Sequence, residues 1–382
     1  MIKNDTLFFA GFIPYIIHEM WKTTMFGRYI HGTREIVFTF ICLGLILLKI
    51  MLYDHFTVRQ LITSALMVLV GALTYRGTGE ILYFALMVIV IGAKDVDFDK
   101  IISVWLVIII AIMVMAFAAS RLGIIADLQY VSKDFFTKKK IIRNSFGIIY
   151  PTDFAAHVFF CVLTLFYLRR DYLKWYDFSA GIITSLVVYY YCRAKLDVLS
   201  ILLVTLLFGL ALIFKEKDIW KKLWSIIGPT VTPITCIVMI ALTYMYKPKG
   251  SLEWFNRFIT GRLFLGKAGI TKYSITLFGQ KLRLIGNGRS TDSYLNYNPN
   301  YNFIDISYIN ILVVSGVVFL SLLIFIYIII GYINRKNIFL LCALFMIALN
   351  CAIAHHMIEI SYNIFTLALF ATTGKGYDNQ TE

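Results

Sequence analysis

The chain has 382 residues, of which 59% are hydrophobic and 15% are charged, and its formal net charge is +14. A soluble protein carries about 25% charged residues, so this composition excludes a large soluble domain. The six cysteines form no CxxC pair and no Cys/His cluster, and we interpret them as small buried residues rather than as disulfides or metal ligands.

Twelve apolar stretches predict helices that cross a membrane. In chain order they cover residues 5–20, 35–52, 58–75, 80–93, 101–120, 152–168, 175–192, 197–214, 223–246, 306–331, 337–354 and 357–373. The first and the fourth are short and are compatible with tilted or re-entrant segments. The predicted fold is therefore all-α, a polytopic integral membrane protein with about 12 transmembrane helices. Residues 1–373 form a single domain, and 374–382 form a short cytoplasmic tail.

The distribution of Lys and Arg between alternate short loops predicts the orientation. One set of loops contains twelve of these residues and the opposite set contains six. Because cytoplasmic loops are enriched in Lys and Arg, we predict a multi-pass protein of the cell (cytoplasmic) membrane with both termini in the cytoplasm. Two long loops, about 121–151 and 247–305, are then extracytoplasmic. Segment 252–285 is weakly amphipathic and predicts helices at the membrane interface.

Both long loops are basic, which predicts an anionic ligand at the outer face of the membrane. Attraction to anionic membrane lipids explains the same charge, and both interpretations stay open. We do not expect nucleic acid as a partner, because these basic residues lie outside the cytoplasm.

A first candidate stretch leads into the sixth predicted helix. Pro151 suits the first turn, and Asp153 and His157, four residues apart, share one face of that helix. Arg143 lies just before it, where an arginine beside a helix N-terminus suits a phosphate group. The alternatives are a helix cap for Asp153, lipid contact for Arg143 and a hydrogen-bonded interhelical role for His157.

Further candidates lie in the later outward segments. Arg193, in a tight turn between two helices, is expected either to bind phosphate or to pair with Asp197. Arg262 lies in the second long loop. Asp305, just before the tenth predicted helix, is either a helix cap or a general base, and Tyr308 follows it.

The remaining motifs are weak. His355 and His356, with Glu359 beyond them, predict a polar turn rather than a metal site. The sequence contains no Walker loop, HExxH, GxSxG or acidic metal-binding cluster, so ATP-driven transport is not expected. No metal and no cofactor are predicted.

Five motifs occur in a characteristic order on this twelve-helix frame. They are RNSFGIIYPTDFAAH at 143–157, CRAKLD at 192–197, FITGRL at 258–263, LFGQ at 277–280 and NFIDISY at 302–308. This arrangement resembles the Wzy-type polysaccharide polymerases, within the wider O-antigen ligase and polymerase superfamily. Many relatives have Asp-Asn-Ser-Tyr in the last motif, whereas here Ile306 follows Asp305.

The resemblance implies a metal-independent glycosyltransferase, a polysaccharide polymerase of capsule or exopolysaccharide synthesis. A hydroxyl of an incoming lipid-linked repeat unit attacks the anomeric carbon of a glycan on undecaprenyl pyrophosphate, and the lipid pyrophosphate leaves. Fixed arginines, here Arg143, Arg193 and Arg262, would stabilise that leaving group. Asp305 and His157 compete as the base. The substrate-binding candidates also include the Asp153 and Tyr308 side chains named above.

Other functions remain open from the sequence. A lipid-linked oligosaccharide flippase or another transporter predicts charged or broken helices at the bilayer midplane, and neither is evident. A glycan ligase shares the donor and leaving group and differs only in its acceptor. A membrane acyltransferase ranks below both. The implied partners are the lipid-linked oligosaccharide, membrane lipids, a flippase and a chain-length regulator.

Overall fold

The computed structural model describes residues 4–29, 33–133, 140–288 and 300–374. Within these ranges the chain is predominantly α-helical, as the apolar stretches predict. The predicted cytoplasmic tail lies outside the described residues from 375 onward.

Fourteen α-helices are present in the described part of the chain, and most coincide with predicted stretches. They are α1 (Asn4–Lys22), α2 (Thr33–Tyr53), α3 (Val58–Thr78), α4 (Leu82–Gly92), α5 (Phe98–Arg121), α6 (Pro151–Leu168), α7 (Trp175–Cys192), α8 (Lys195–Phe214), α9 (Asp218–Met245), α10 (Glu253–Phe258), α11 (Arg262–Lys272), α12 (Ser307–Val314), α13 (Gly316–Ile333) and α14 (Ile338–Cys351). Two of them, α10 and α11, lie in the segment that predicts interfacial helices.

The first long loop contains an element that the all-α prediction lacks. Strands β1 (Gln129–Lys133) and β2 (Lys140–Asn144) pair in antiparallel register, with Tyr130 opposite Arg143. The hairpin packs against α7 and brings Arg143 to the junction between the end of α7 and the start of α8.

Seven helices among the described residues are long and apolar enough to cross a membrane, and they are α2, α3, α5, α6, α8, α9 and α13. The chain therefore has the helices of a polytopic membrane protein, but the predicted count of about twelve is too high by this measure. Helix α1 carries Asp5, His18, Glu19 and Lys22 within 19 residues. Two apolar helices are shorter, with 11 residues in α4 and 14 in α14.

Loops from distant parts of the chain meet at two ends of the helical bundle. At one end the backbone N–H of Ile149 donates to the Thr23 carbonyl (3.0 Å), and the Ser307 hydroxyl donates to the Ala354 carbonyl (2.6 Å). This end contains the described parts of both long loops, and we call it the loop face.

The other end, the opposite face, is formed by the short loops between the same helices. There Arg170, just after α6, pairs with Asp99 at the start of α5 (2.7 Å). The backbone N–H of Phe98 donates to the Thr372 carbonyl (3.0 Å). Helix α6 therefore runs from the loop face to the opposite face.

The tenth predicted helix, 306–331, is broken between α12 and α13. Gly316 has φ +88°, and a Cβ there would lie 2.5 Å from the Leu277 carbonyl oxygen. The backbone of the second long loop enters this break, since the N–H of Val318 donates to Leu277 (3.1 Å) and that of Gln280 to Val314 (3.0 Å). Glycine permits both the positive φ and the close approach of the loop.

The last predicted helix, 357–373, is the clearest error in the predicted fold. This segment contains turns and a 3₁₀ helix, Phe365–Leu369, and is almost completely buried. It extends from Ala354 at the loop face to Thr372 at the opposite face. We call residues 352–373 the irregular segment.

Side chains of the surrounding helices satisfy polar groups of the irregular segment. The indole of Trp105 donates to the Ile360 carbonyl (2.8 Å). The Asn363 amide donates to the Tyr327 hydroxyl (2.6 Å) and to the Met357 carbonyl (2.9 Å). Non-helical backbone is tolerated at membrane depth only where protein or a water-filled cavity surrounds it. These contacts therefore allow the segment to remain non-helical.

Candidate functional site

The start of α6 places two predicted site residues at the loop face. Pro151 occupies the first turn and Asp153 follows in the same turn, but the helix begins without a side-chain cap. His157 lies one turn further and is completely buried. Its Nε2 is 3.0 Å from the hydroxyl of Thr23, just after α1. The predicted shared face of Asp153 and His157 is therefore directed into the protein.

An aromatic stack connects α6 to the irregular segment. The ring of Tyr362 lies between the rings of His157 (3.8 Å between centroids, 9° between planes) and His356 (3.7 Å, 19°). The stack fixes the position of the His356 ring close to the acidic residues of the loop face, which are described below.

Glu359 lies between two histidine side chains. Its carboxylate oxygens are 3.4 Å from Nε2 of His355 and 3.1 Å from Nδ1 of His356. The predicted polar turn is present, and it lies inside the protein, next to the aromatic stack of Tyr362.

Strand β2 directs Arg143 toward the end of α7 and the start of α8. Its Nε donates to the Cys192 carbonyl (2.9 Å), and its guanidinium carbon lies 5.5 Å from the centroid of the Tyr150 ring. The positive charge acts on the carboxylates of both Asp153 and Asp197. The neutral carbonyl of Cys192 thus orients Arg143, and the charge of Arg143 acts on the carboxylates of Asp153 and Asp197.

The start of α11 positions Arg262 in the same way. Its Nε donates to the Ile353 carbonyl, and Nη1 donates to the Thr260 hydroxyl. Its charge acts on Asp197 and Asp305. Arg262 therefore lies between α8, α12 and the irregular segment.

Asp305 lies just before the start of α12, near Arg262. The N-cap of that helix is Ile306, without a side-chain cap, so the capping role considered for Asp305 is absent. Burial raises the pKa of Asp305, and the nearby Arg262 opposes this rise. A carboxyl group with a raised pKa is suited to exchange protons near neutral pH.

These contacts define the acid–arginine cluster, which consists of Arg143, Asp153, Asp197, Arg262, Asp305 and Glu359. The electrostatic field at Asp153 includes the other three carboxylates as well as Arg143. Among the described residues, neither arginine forms an ion pair within 4 Å. Four carboxyl groups, one buried and three half-buried, are thus coupled to two guanidinium groups whose positions are fixed by neutral oxygen atoms.

Two predicted substrate-binding residues lie elsewhere. Arg193 has φ +52° at the C-terminus of α7, and its guanidinium carbon lies 5.0 Å from the Tyr189 ring centroid and 5.9 Å from that of Tyr190. Tyr308 is completely buried, and its hydroxyl donates to the Ala348 carbonyl of α14 (3.0 Å). Arg193 therefore contacts the tyrosines of its own helix, and Tyr308 packs in the core.

Asp197, Glu359 and Tyr362 belong to the site but are absent from the predicted set. Asp197 has one sequence signal, because a carboxylate in the first turn of an apolar helix is costly unless it has a partner or a function. Pairing with Arg193 was the alternative considered, whereas Arg143 and Arg262 are the cations that act on it. The role of Tyr362 depends on a tertiary stack and leaves no local signal.

Comparisons with family models, with curated proteins and with solved structures find no match to this chain. Function must therefore be argued from the cluster itself. Its two guanidinium groups are suited to bind anionic oxygens, and its carboxyl groups are suited to transfer protons.

Proposed function

We propose that the chain is a membrane glycosyltransferase that polymerises undecaprenyl-pyrophosphate-linked oligosaccharide repeat units into capsular or exopolysaccharide. One observation carries the proposal. Arg143, Asp153, Arg262 and Asp305, which come from four different segments, are half-buried on the loop face and belong to one set of electrostatically coupled side chains. This combination supplies both requirements of the reaction, a cationic site for a diphosphate and a carboxylate base.

The two arginines bind the leaving group in this proposal. The bond between the anomeric carbon and the diphosphate oxygen breaks, and negative charge develops on that oxygen. Arg143 and Arg262 are already oriented through their Nε atoms, so little reorganisation is needed when the charge appears. Their remaining N–H groups donate to the diphosphate oxygens.

Asp305 acts as the base. It accepts the proton of the acceptor hydroxyl while that oxygen bonds to the anomeric carbon. His157 is less suited, because it is completely buried, stacked on Tyr362 and bonded to Thr23. We assign His157 a positioning role in which it holds the stack that carries His356.

The proposed topology places the loop face outside the cell and both termini in the cytoplasm. The asymmetric distribution of Lys and Arg supports the orientation. Labelling single cysteines at Lys247 and Arg335 with an impermeant reagent tests it, since only Lys247→Cys should react in intact cells.

A flippase or another transporter is the second candidate, and the break between α12 and α13 favours it. Transporters use discontinuous helices near their substrate sites. Here, however, backbone from residues 276–280 enters the break and pairs with it, and none of the cluster residues lies in it. The polymerase is therefore the better supported function.

Deletion of the gene followed by analysis of lipid-linked glycans tests the proposal. A polymerase defect accumulates single repeat units on lipid, exposed outside. Accumulation of these units on the cytoplasmic side would favour a flippase, and long lipid-linked chains without transfer would favour a ligase. Complementation with Arg262→Ala should fail, whereas Arg335→Ala should restore polymer, because Arg335 is exposed on the opposite face beside Tyr332.

A further inference from the structure

The two histidines around Glu359 form a compact donor set. One ligand atom from each of His355, His356 and Glu359 can be chosen so that all three lie within 4.8 Å of one another. The His355 ring is held edge-on by Phe303 (4.7 Å between centroids), and that of His356 stacks on Tyr362. Two imidazole nitrogens and a carboxylate oxygen are ligands typical of divalent transition metals and leave further coordination positions open.

A second trio in the described part of the chain provides a comparison. His18, Glu19 and Glu35 also lie within 4.8 Å of one another. There the ammonium of Lys22 lies 3.2 Å from a Glu19 oxygen and 2.7 Å from a Glu35 oxygen. A lysine thus supplies the positive charge at this trio.

The side chains in contact with Glu359 are different. Its carboxylate oxygens lie 3.4 Å from Nε2 of His355 and 3.1 Å from Nδ1 of His356. Glu359 also adds a fourth carboxyl group to a cluster that contains two arginines. A divalent cation held by these three side chains supplies positive charge at a site rich in carboxyl groups.

We propose that His355, His356 and Glu359 bind one divalent transition-metal ion, with zinc as the best match to the donors. This departs from the metal-independent reaction that the resemblance implies. The remaining coordination positions take water or, if the proposed glycosyl transfer is correct, oxygens of the substrate diphosphate beside Arg262. The second trio does not bind the ion, because the ammonium of Lys22 already lies between its two carboxylates.

The test measures metal on the purified full-length chain in detergent. The protein is stripped with a chelator, titrated with zinc and analysed by mass spectrometry of the bound metal. Wild type should bind about one ion at this site. Glu359→Gln and His355→Ala each remove a direct ligand, so each should lower the affinity for zinc at least as much as the loss of an outer-shell partner does, which is about 10- to 100-fold. His18→Ala is the matched control and should leave the affinity unchanged.

Cobalt substitution provides a readout that does not depend on activity. Bound Co²⁺ should give visible d–d absorption in wild type and in His18→Ala, and Glu359→Gln should abolish or shift it. Thermal melting shows whether each variant is folded, and His355→Cys, which keeps a metal ligand, should retain binding if His355→Ala does not fold. The proposal is overturned if wild type binds no more zinc than Glu359→Gln, or if His18→Ala loses as much.

The two proposals fail separately. Zinc binding by a chain whose deletion does not accumulate single lipid-linked units would leave the metal site and remove the polymerase. Accumulation of those units, with no zinc or cobalt bound, would leave the polymerase and remove the metal site.

Discussion

Two pairs of cations on the two faces of the bundle have different partners, although the loop face also contains the ion pairs of Lys22 with Glu19 and Glu35. On the opposite face Lys49 pairs with Asp54 (2.6 Å) with neither side chain exposed, and Arg170 pairs with Asp99 (2.7 Å). On the loop face Arg143 and Arg262 donate through Nε to backbone carbonyls instead.

This difference separates structural charges from charges that remain available. A buried ion pair neutralises itself and holds two elements together. A guanidinium fixed by a neutral carbonyl keeps its charge for another partner, although burial of that charge is unfavourable. Such an arrangement persists when the site binds a charged ligand. The comparison predicts stability effects on the opposite face and functional effects on the loop face.

Lys49→Met should give the largest effect on stability. It leaves the carboxylate of Asp54 buried without its ammonium partner, which costs about 3–5 kcal/mol. The double variant Lys49→Met/Asp54→Leu should recover most of this loss, because neither charge remains. Thermal melting in detergent measures both. Equal melting temperatures for wild type and the single variant would contradict a structural role for the pair.

Arg262→Ala should give the largest effect on function. Loss of a fixed cation at the leaving group should reduce polymer formation by about 100- to 1000-fold. Arg262→Lys should restore only part of it, since lysine lacks the planar set of donors. The measurement is polymer made per folded molecule, with melting as the control. Full activity of a folded Arg262→Ala protein would exclude this arginine from the mechanism.

The raised pKa of Asp305 predicts how activity depends on pH. As the base, Asp305 must be ionised, so polymer formation should fall as the pH falls. The midpoint of this decrease should lie above the ordinary pKa of aspartate, which is about 3.9. Arg262 lowers this pKa, so any residual activity of Arg262→Lys or Arg262→Ala should show a midpoint that is unchanged or higher. A midpoint that moved down in Arg262→Ala would show that another group limits the rate.

Arg193→Ala should give the smallest effect. Its guanidinium contacts Tyr189 and Tyr190, and a cation–π contact near the surface contributes about 0.5–1 kcal/mol. Polymer formation should change by less than about fivefold. Lipid-linked glycan analysis beside Arg262→Ala measures the contrast. A loss as large as that of Arg262→Ala would place Arg193 at the substrate and weaken the distinction drawn here.

Apolar runs allowed most of the fold to be predicted. The predicted boundaries of α7, 175–192, match the structure, because length and hydropathy identify such a helix locally. The irregular segment was mistaken for a helix because hydropathy averages ignore spacing. Glu359, Ser361 and Asn363 alternate along it, a period of two that does not suit a helix.

The site was predictable only in part. Arg143, Asp153 and Asp305 were identified because each is a charge beside the start of an apolar helix. Glu359 is missed because residues 355–359 predict only a polar turn. Nothing in the local sequence indicates that this turn packs against α6. The packing of Tyr308 against α14 is likewise a tertiary contact that a motif does not contain.

The non-helical form of residues 352–373 has a consequence for biosynthesis. A stretch whose Ile360 carbonyl needs the indole of Trp105 in α5, and whose Asn363 amide needs the hydroxyl of Tyr327 in α13, cannot enter lipid alone as a newly made helix does. It must dock into partners that have already been inserted. His355, His356 and Glu359 therefore reach their positions only in the last step of assembly, so this part of the loop face is completed after every helix is in the bilayer.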